Sequence, residues 1–176
     1  IETTGSTATR SIDLIQVMLD GQPWFDRDAG TLVAEAIPWS RNISPVVTLR
    51  LDASVNTHGI GFRHDNVGWR AIARSATGSN AITAPTGNSF LQLTRGAIAY
   101  DSTADNFAFA VNGSVGEAEY PSDFFDYDNP SINIGRYHLL GVGPSSVCMD
   151  GWIRRVVYYP HRISNANLQS LTAMQE

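Results

Sequence analysis

Asn106-Phe107-Ala108-Phe109-Ala110-Val111-Asn112-Gly113-Ser114-Val115-Gly116-Glu117-Ala118-Glu119 decides the fold. Phe107, Phe109 and Val111 alternate into Asn112-Gly113, and Val115, Glu117 and Glu119 alternate out of it. A two-residue type I′ turn needs positive φ at both of its central positions, which Asn and Gly tolerate. Asn-Gly between alternating runs is therefore a β-hairpin signal.

Working outward, the same period of two recurs in short runs bounded by turn residues. Leu14–Leu19 ends at Asp20-Gly21, and Thr31–Ile37 follows. Val46–Asp52 sets Val47, Leu49 and Leu51 on one face against Thr48, Arg50 and Asp52 on the other, the pattern of a half-buried strand. Gly59–Arg63 and Gly68–Arg74 form a hairpin around Asp65-Asn66. Phe90–Leu93, Ala97–Tyr100 and Ile132–Gly135 are further strands, and Gly151–Tyr159 is the last long one. Pro160 then stops the strand, Ser164 is placed to cap a helix, and Leu168, Leu171 and Met174 stand at helical spacing. About ten strands and one short C-terminal helix predict an all-β, antiparallel two-sheet sandwich or jelly roll. Residues 1–10 read as a polar linker belonging to a longer or processed chain, and 11–176 as a single β-sandwich domain.

Composition narrows the function. Hydrophobic residues make up 43% of 176, enough for a core, and no apolar run reaches the roughly 18–20 residues of a membrane span, so membrane insertion is not expected. A net charge of −5 leaves little for phosphate neutralisation, so nucleic acid is not an expected partner. All 12 basic residues are Arg, a composition shared by protein interfaces and GC-rich genomes. The single Cys148 excludes an internal disulfide. The N-x-Ser triplets at Asn42 and Asn112 carry little, the second being the hairpin turn.

Three segments together resemble a known family: Ala97–Tyr100, Asp105–Gly113, and Gly151-Trp152-Ile153-Arg154-Arg155-Val156-Val157-Tyr158-Tyr159-Pro160-His161-Arg162-Ile163-Ser164-Asn165-Ala166-Asn167-Leu168-Gln169. They look like the concanavalin A-like (laminin G-like) jelly-roll domains near the C-termini of bacteriophage tail, fibre and other virion proteins. Phe25–Glu35 is similar to that family's early strand pair. Where the family has an acidic residue three positions after the capping Ser, this chain has Asn167, a weaker partner than a reciprocal capping box would use. The resemblance implies a non-catalytic module on a virion surface, made in the host cytoplasm, that attaches to a host-surface glycan or receptor. It also implies contact with other virion subunits and a homo-oligomer, often a trimer in fibres. The alternative is a structural or oligomerisation domain without its own ligand.

Candidate ligand residues come from exposed aromatics and acidic loops. Asp123-Phe124-Phe125-Asp126-Tyr127-Asp128-Asn129 combines carboxylates with rings, the pairing that sugar binding uses. Asp123, Asp126, Tyr127, Asp128 and Asn129 are its ligand candidates, set against a solvated loop whose Phe124 and Phe125 enter the core. Alternate oxygens there also match calcium chemistry, although the spacing is not that of an EF-hand, so no cofactor is expected. Trp39 and Trp69, at loop or strand ends, are the expected exposed aromatics, whereas Trp24 and Trp152 are expected in the core.

Glu117 and Glu119 stand roughly 7 Å apart by strand rise. Retaining glycosidases hold their carboxyls at about 5–5.5 Å. Glycosidases of the jelly-roll type place a third carboxylate further along the strand, where this chain has Tyr120, Pro121 and Ser122. A glycan-cleaving enzyme is thus the third reading and no catalytic residue is assigned. His58, His64, His138 and His161 lack a metal-ligand spacing, and no metal is assigned.

Overall fold

The computed structural model describes residues 15–39, 44–50, 59–75, 77–84, 91–125, 130–137 and 147–174. Two antiparallel sheets face each other. The six-stranded sheet runs in the order β1 (Ile15–Met18), β10 (Ser131–Ile134), β3 (Ser44–Arg50), β4 (Gly59–Asp65), β5 (Gly68–Arg74), β6 (Ser79–Thr83). The five-stranded sheet runs β13 (Gly151–Tyr159), β2 (Ala29–Pro38), β7 (Thr94–Asp101), β8 (Asn106–Val111), β9 (Ser114–Glu119). A small ribbon pairs β11 (Arg136–Tyr137) with β12 (Val147–Cys148). One helix, α1 (Asn165–Thr172), closes the chain. The architecture is the expected jelly-roll sandwich.

Alternation explains which residues meet. Leu32, Ala34 and Ala36 of β2, Ile98 and Tyr100 of β7, and Phe107, Phe109 and Val111 of β8 point inward. They pack against Val47, Leu49, Ile60, Phe62, Ala71 and Ala73 of the opposite sheet. Each large side chain buried this way contributes about 1.5–3 kcal/mol. The opposite parity of the same strands, Val33, Ala97, Ala99, Ala108 and Ala110, makes a second, thinner layer under Leu168 of α1. Alanines dominate that layer because a helix must lie close on the sheet, and small side chains let it.

The hairpin forms as read: Asn112 has φ +46 and Gly113 φ +83, and Val111 pairs with Ser114. Its turn is also the docking point of α1. The Gly113 amide donates to Thr172 Oγ1 at 3.1 Å, and the Arg95 amide donates to Asn112 Oδ1 at 3.0 Å. Ser164 caps the helix, accepting from the Asn167 amide.

Glu35 is the exception in β2, only 7% exposed among apolar neighbours. Its carboxylate meets Arg95 Nη2 at 2.9 Å and Arg154 Nε at 3.7 Å. Arg95 Nη1 reaches on to the carbonyls of Leu171 and Ala173, so one guanidinium neutralises the buried acid and caps the helix C-terminus.

Three expectations are corrected. Residues 91–93 form a turn instead of a strand, with Leu91 at φ +62 and its amide bonded to the Pro38 carbonyl. Trp24 is exposed, lying edge-on to Tyr158 in the turn that precedes β2. Trp152 is 63% exposed rather than core. The reason is a β-bulge: Ile153 pairs with Ala36 and Arg155 with Glu35, leaving Arg154 as the extra residue. The extra residue breaks strict alternation, so Ile153, Val156 and Tyr158 face the core while Trp152, Arg155 and Val157 face out.

Arg95→Ala should destabilise the fold by roughly 2–4 kcal/mol, because it strands a buried carboxylate and uncaps α1. Glu35→Gln, which leaves no charge behind, should cost less. Urea unfolding of both variants checks the order; equal costs would contradict it.

Candidate functional site

β2 and β13 are antiparallel partners whose ends bring two indoles together. The Trp39 amide donates to the Asp150 carbonyl at 2.8 Å. Gly151 pairs with Pro38 at φ +152, so close that a Cβ there would overlap the Ile37 carbonyl oxygen. That approach sets Trp152 beside Trp39 with ring centroids 5.5 Å apart and planes inclined at 57°. Trp39 is 47% exposed. Exposed Leu91, tied to Pro38 by its amide, extends the apolar surface. Along the same outward face of β13 stands Arg155, at the rim of a recess of about 90 Å³ lined by Val33, Glu35, Arg95, Val157 and Leu171. Flat apolar rings beside guanidinium groups offer both a surface for the C–H faces of a sugar ring and donors for its oxygens.

Trp69 is corrected: it is 0% exposed and packs on Phe62 and edge-on to His64, at centroid distances of 6.2 and 5.3 Å. Trp69 shares parity with buried Ala71 and Ala73, while Arg70 takes the outward position. It is a core residue and does not join the exposed pair.

The acidic and aromatic segment is described as far as Phe125; Asp126, Tyr127, Asp128 and Asn129 lie outside the described residues. Asp123 Oδ1 accepts from the Thr77 hydroxyl. Phe124 is buried, stacked on Tyr120 at 4.9 Å, with Phe125 edge-on to both. Tyr120 accepts from the Asp101 amide at 2.9 Å. Burial pushes the Tyr120 phenol well above its ordinary range. Asp101 is held below the usual carboxylate range, first by the Thr103 hydroxyl bonded to it and then by the Thr103 amide. The rings of this segment anchor a loop to the core.

Glu117 Oε1 accepts from Asn165 Nδ2 at 2.8 Å and Arg162 Nη2 at 3.3 Å. It braces the N-terminal end of α1. The Glu119 carbonyl accepts from Asn80 Nδ2, stitching β6 to β9 across the sandwich edge. His64 is buried and His161 exposed, while His58 and His138 lie outside the described residues. Among the described residues no three His, Cys, Asp or Glu side chains converge on one point.

The outcome for the sequence candidates is uneven. Trp39 is exposed, Trp69 is core, and Asp123 is engaged by the Thr77 hydroxyl of the β5–β6 turn. Trp152, Leu91 and Arg155 were not among the candidates. For Trp152 and Arg155 the signal was the doubled Arg154-Arg155, where the apolar alternation breaks; Leu91 carried none.

Fold and site together define a concanavalin A-like jelly-roll sandwich with an exposed aromatic pair at one strand end. Among solved structures it is similar to the CBM40 module of the Ruminococcus gnavus IT-sialidase, bound to alpha2,3-sialyllactose. The TM-score is 0.67 at 16% identity, over 93% of this chain and 97% of that one. It is also similar to domains LG4-5 of the mouse laminin alpha1 chain, with a TM-score of 0.64 at 9% identity, over 85% of this chain and 40% of that one. The leech intramolecular trans-sialidase gives a TM-score of 0.65 at 14% identity, over 92% of this chain but 26% of that one. At such identities the likeness establishes the fold. No protein-family model and no curated protein matches the sequence.

The two tryptophans should separate cleanly in thermal unfolding. Trp69→Ala empties a buried site and should cost about 3–5 kcal/mol, whereas Trp152→Ala should stay within about 1 kcal/mol. Similar losses for the two would overturn the assignment of faces.

Proposed function

We propose that this chain is a non-catalytic carbohydrate-binding module whose sugar-contacting surface is the Trp39–Trp152 pair. The observation that carries this reading is the pair itself: two half- to mostly exposed indoles, 5.5 Å apart, held by backbone contacts instead of by core packing. Exposing two tryptophans costs the fold their burial, and aromatic rings of this kind are typical anchors of binding surfaces. The reading is supported by the Ruminococcus gnavus modules of the same fold, which hold sialyllactose. Against catalysis stands the engagement of Glu117 by Arg162 and Asn165. The setting we propose is a bacteriophage tail fibre or spike, with a host-surface glycan as partner; it rests on the resemblance of residues 97–113 and 151–171.

Titration calorimetry with 3′-sialyllactose, lactose and a broader oligosaccharide panel tests the platform. Trp39→Ala and Trp152→Ala should each weaken whichever glycan binds by roughly tenfold, about 1.4 kcal/mol, with unfolding temperatures near wild type. A panel that binds nowhere, or unchanged affinity in the double variant, would sink the proposal.

A second reading, a contact between virion subunits, is favoured by edge strand β1. Ile15, Val17 and Met18 are all exposed there, and an apolar edge strand is a template for pairing with another chain. Sedimentation velocity should then show an oligomer that Val17→Lys shifts toward monomer. A wild-type chain that stays monomeric as its concentration rises removes this reading.

A further inference from the structure

Asn112-Gly113 is the one Asn-Gly step in the sequence, and the helix that closes the chain sits on it. Asn-Gly is the dipeptide most open to loss of the side-chain nitrogen as ammonia. Glycine has no Cβ to hinder the approach of its amide nitrogen to the preceding side chain. In this reaction the Gly113 amide gives its proton to hydroxide, and its nitrogen bonds to Asn112 Cγ. The bond from Cγ to Nδ2 breaks, and the nitrogen leaves as ammonia after taking a proton from water. Water then opens the five-membered imide at either carbonyl. One opening leaves an aspartyl residue, the other an isoaspartyl link that carries the main chain through the side-chain carbon.

Both reacting groups are held in the folded molecule. The Gly113 amide donates to Thr172 Oγ1 at 3.1 Å. Thr172 is fully buried and donates its own hydrogen to the Leu168 carbonyl at 2.9 Å, which leaves a lone pair facing the turn. The Asn112 side chain is fixed from the other direction. Its Oδ1 accepts from the Arg95 amide at 3.0 Å, and the Asn112 amide donates to the Arg95 carbonyl at 3.0 Å. Attack requires the Gly113 N–H to leave Thr172 and the side-chain carbonyl to swing away from Arg95. Ala173 lies over the turn, its Cα 3.6 Å from where a Cβ on Gly113 would stand.

The cover itself is lightly fastened. α1 has eight residues, no acid in its first turn and no base in its last, and only Leu168 and Thr172 are buried. A helix this short is marginal by itself in water, so docking keeps it folded. Elements with so few buried contacts open more readily than the core.

From these features we infer that Asn112 is a latent modification site, guarded by α1 and converted to aspartyl and isoaspartyl products when the helix lifts. The isoaspartyl product makes the release one-way. It adds a carbon to the main chain in a two-residue turn whose geometry matches the twist of its strands. Gly113 then no longer meets Thr172, and Arg95 loses its seat on the last carbonyls of α1. The site is separate from the Trp39–Trp152 pair and does not depend on it.

Incubation of the full chain at mildly alkaline pH, followed by peptide mass spectrometry and an isoaspartate-specific methylation assay, reads conversion at Asn112. The folded wild type should convert far more slowly than the chain unfolded in urea. Thr172→Val keeps the side-chain shape but removes the acceptor. It should speed conversion in the folded protein roughly tenfold, about the rate equivalent of one hydrogen bond. Leu168→Ala, which loosens the helix by its apolar anchor, should also speed it. Thr172→Ser keeps the acceptor and should convert near the wild-type rate. Trp69→Phe, which weakens the opposite sheet, should do likewise. Folded wild type converting as fast as the unfolded chain, wild-type rates in both Thr172→Val and Leu168→Ala, or equal acceleration in Trp69→Phe would overturn the assignment.

Discussion

Strand β2 is buried on both faces, and the rest of the molecule answers to that constraint. One face is covered by the opposite sheet; on the other, Val33 joins the alanine layer of β7 and β8 that lies under α1. A strand so enclosed cannot hold an unpaired charge, since a carboxylate removed from water without a partner is expensive. Glu35 sits there nonetheless, and Arg95 both neutralises it and holds the last carbonyls of α1. The ion pair therefore couples sheet to helix, and the Arg95 amide, bonded to Asn112 Oδ1, adds the hairpin turn. The turn in its own right secures the helix through Gly113 and Thr172.

The sandwich was legible in the sequence wherever alternation was strict. Phe107–Val111 and Val47–Leu49 announced their inner faces, and Asn112-Gly113 announced its turn, because these signals are local. Legibility failed where a contact between distant strands decides the matter. Trp152 looked like core because the run from Gly151 to Tyr159 was read with unbroken parity. The bulge at Arg154 belongs to the pairing with β2, and one extra residue inverts every side chain before it. Trp69 failed for the opposite reason. Its place beside a turn drew attention away from its parity with Ala71 and Ala73, which was readable.

The candidate site shows the same division. Trp39 could be picked out as a ring at a strand end, but its partner could not, since the two meet only through the β2–β13 register. Phe124 and Phe125 enter the core, as the alternative reading of that loop had it. An acidic, aromatic stretch has the chemistry of a ligand loop, yet its rings are used to fasten it to Tyr120 and the core. Glu117 is similar: a carboxylate with a neighbour at suggestive spacing is occupied by Arg162 and Asn165 at the foot of the helix. Sequence identifies the functional groups, and topology decides which are left unoccupied.

The uneven sharing of charge between the sheets has a bearing on how the molecule meets anything at all. The strands of the six-stranded sheet carry four arginines to one carboxylate, and those of the five-stranded sheet three arginines to four carboxylates. Fields from such charges act over about 10 Å at ordinary ionic strength, before side chains touch, and they govern orientation and encounter rate more than final affinity. Twelve of the seventeen carboxylates lie outside the two sheets, so the field that steers an approaching partner is set by the connecting segments more than by the strands.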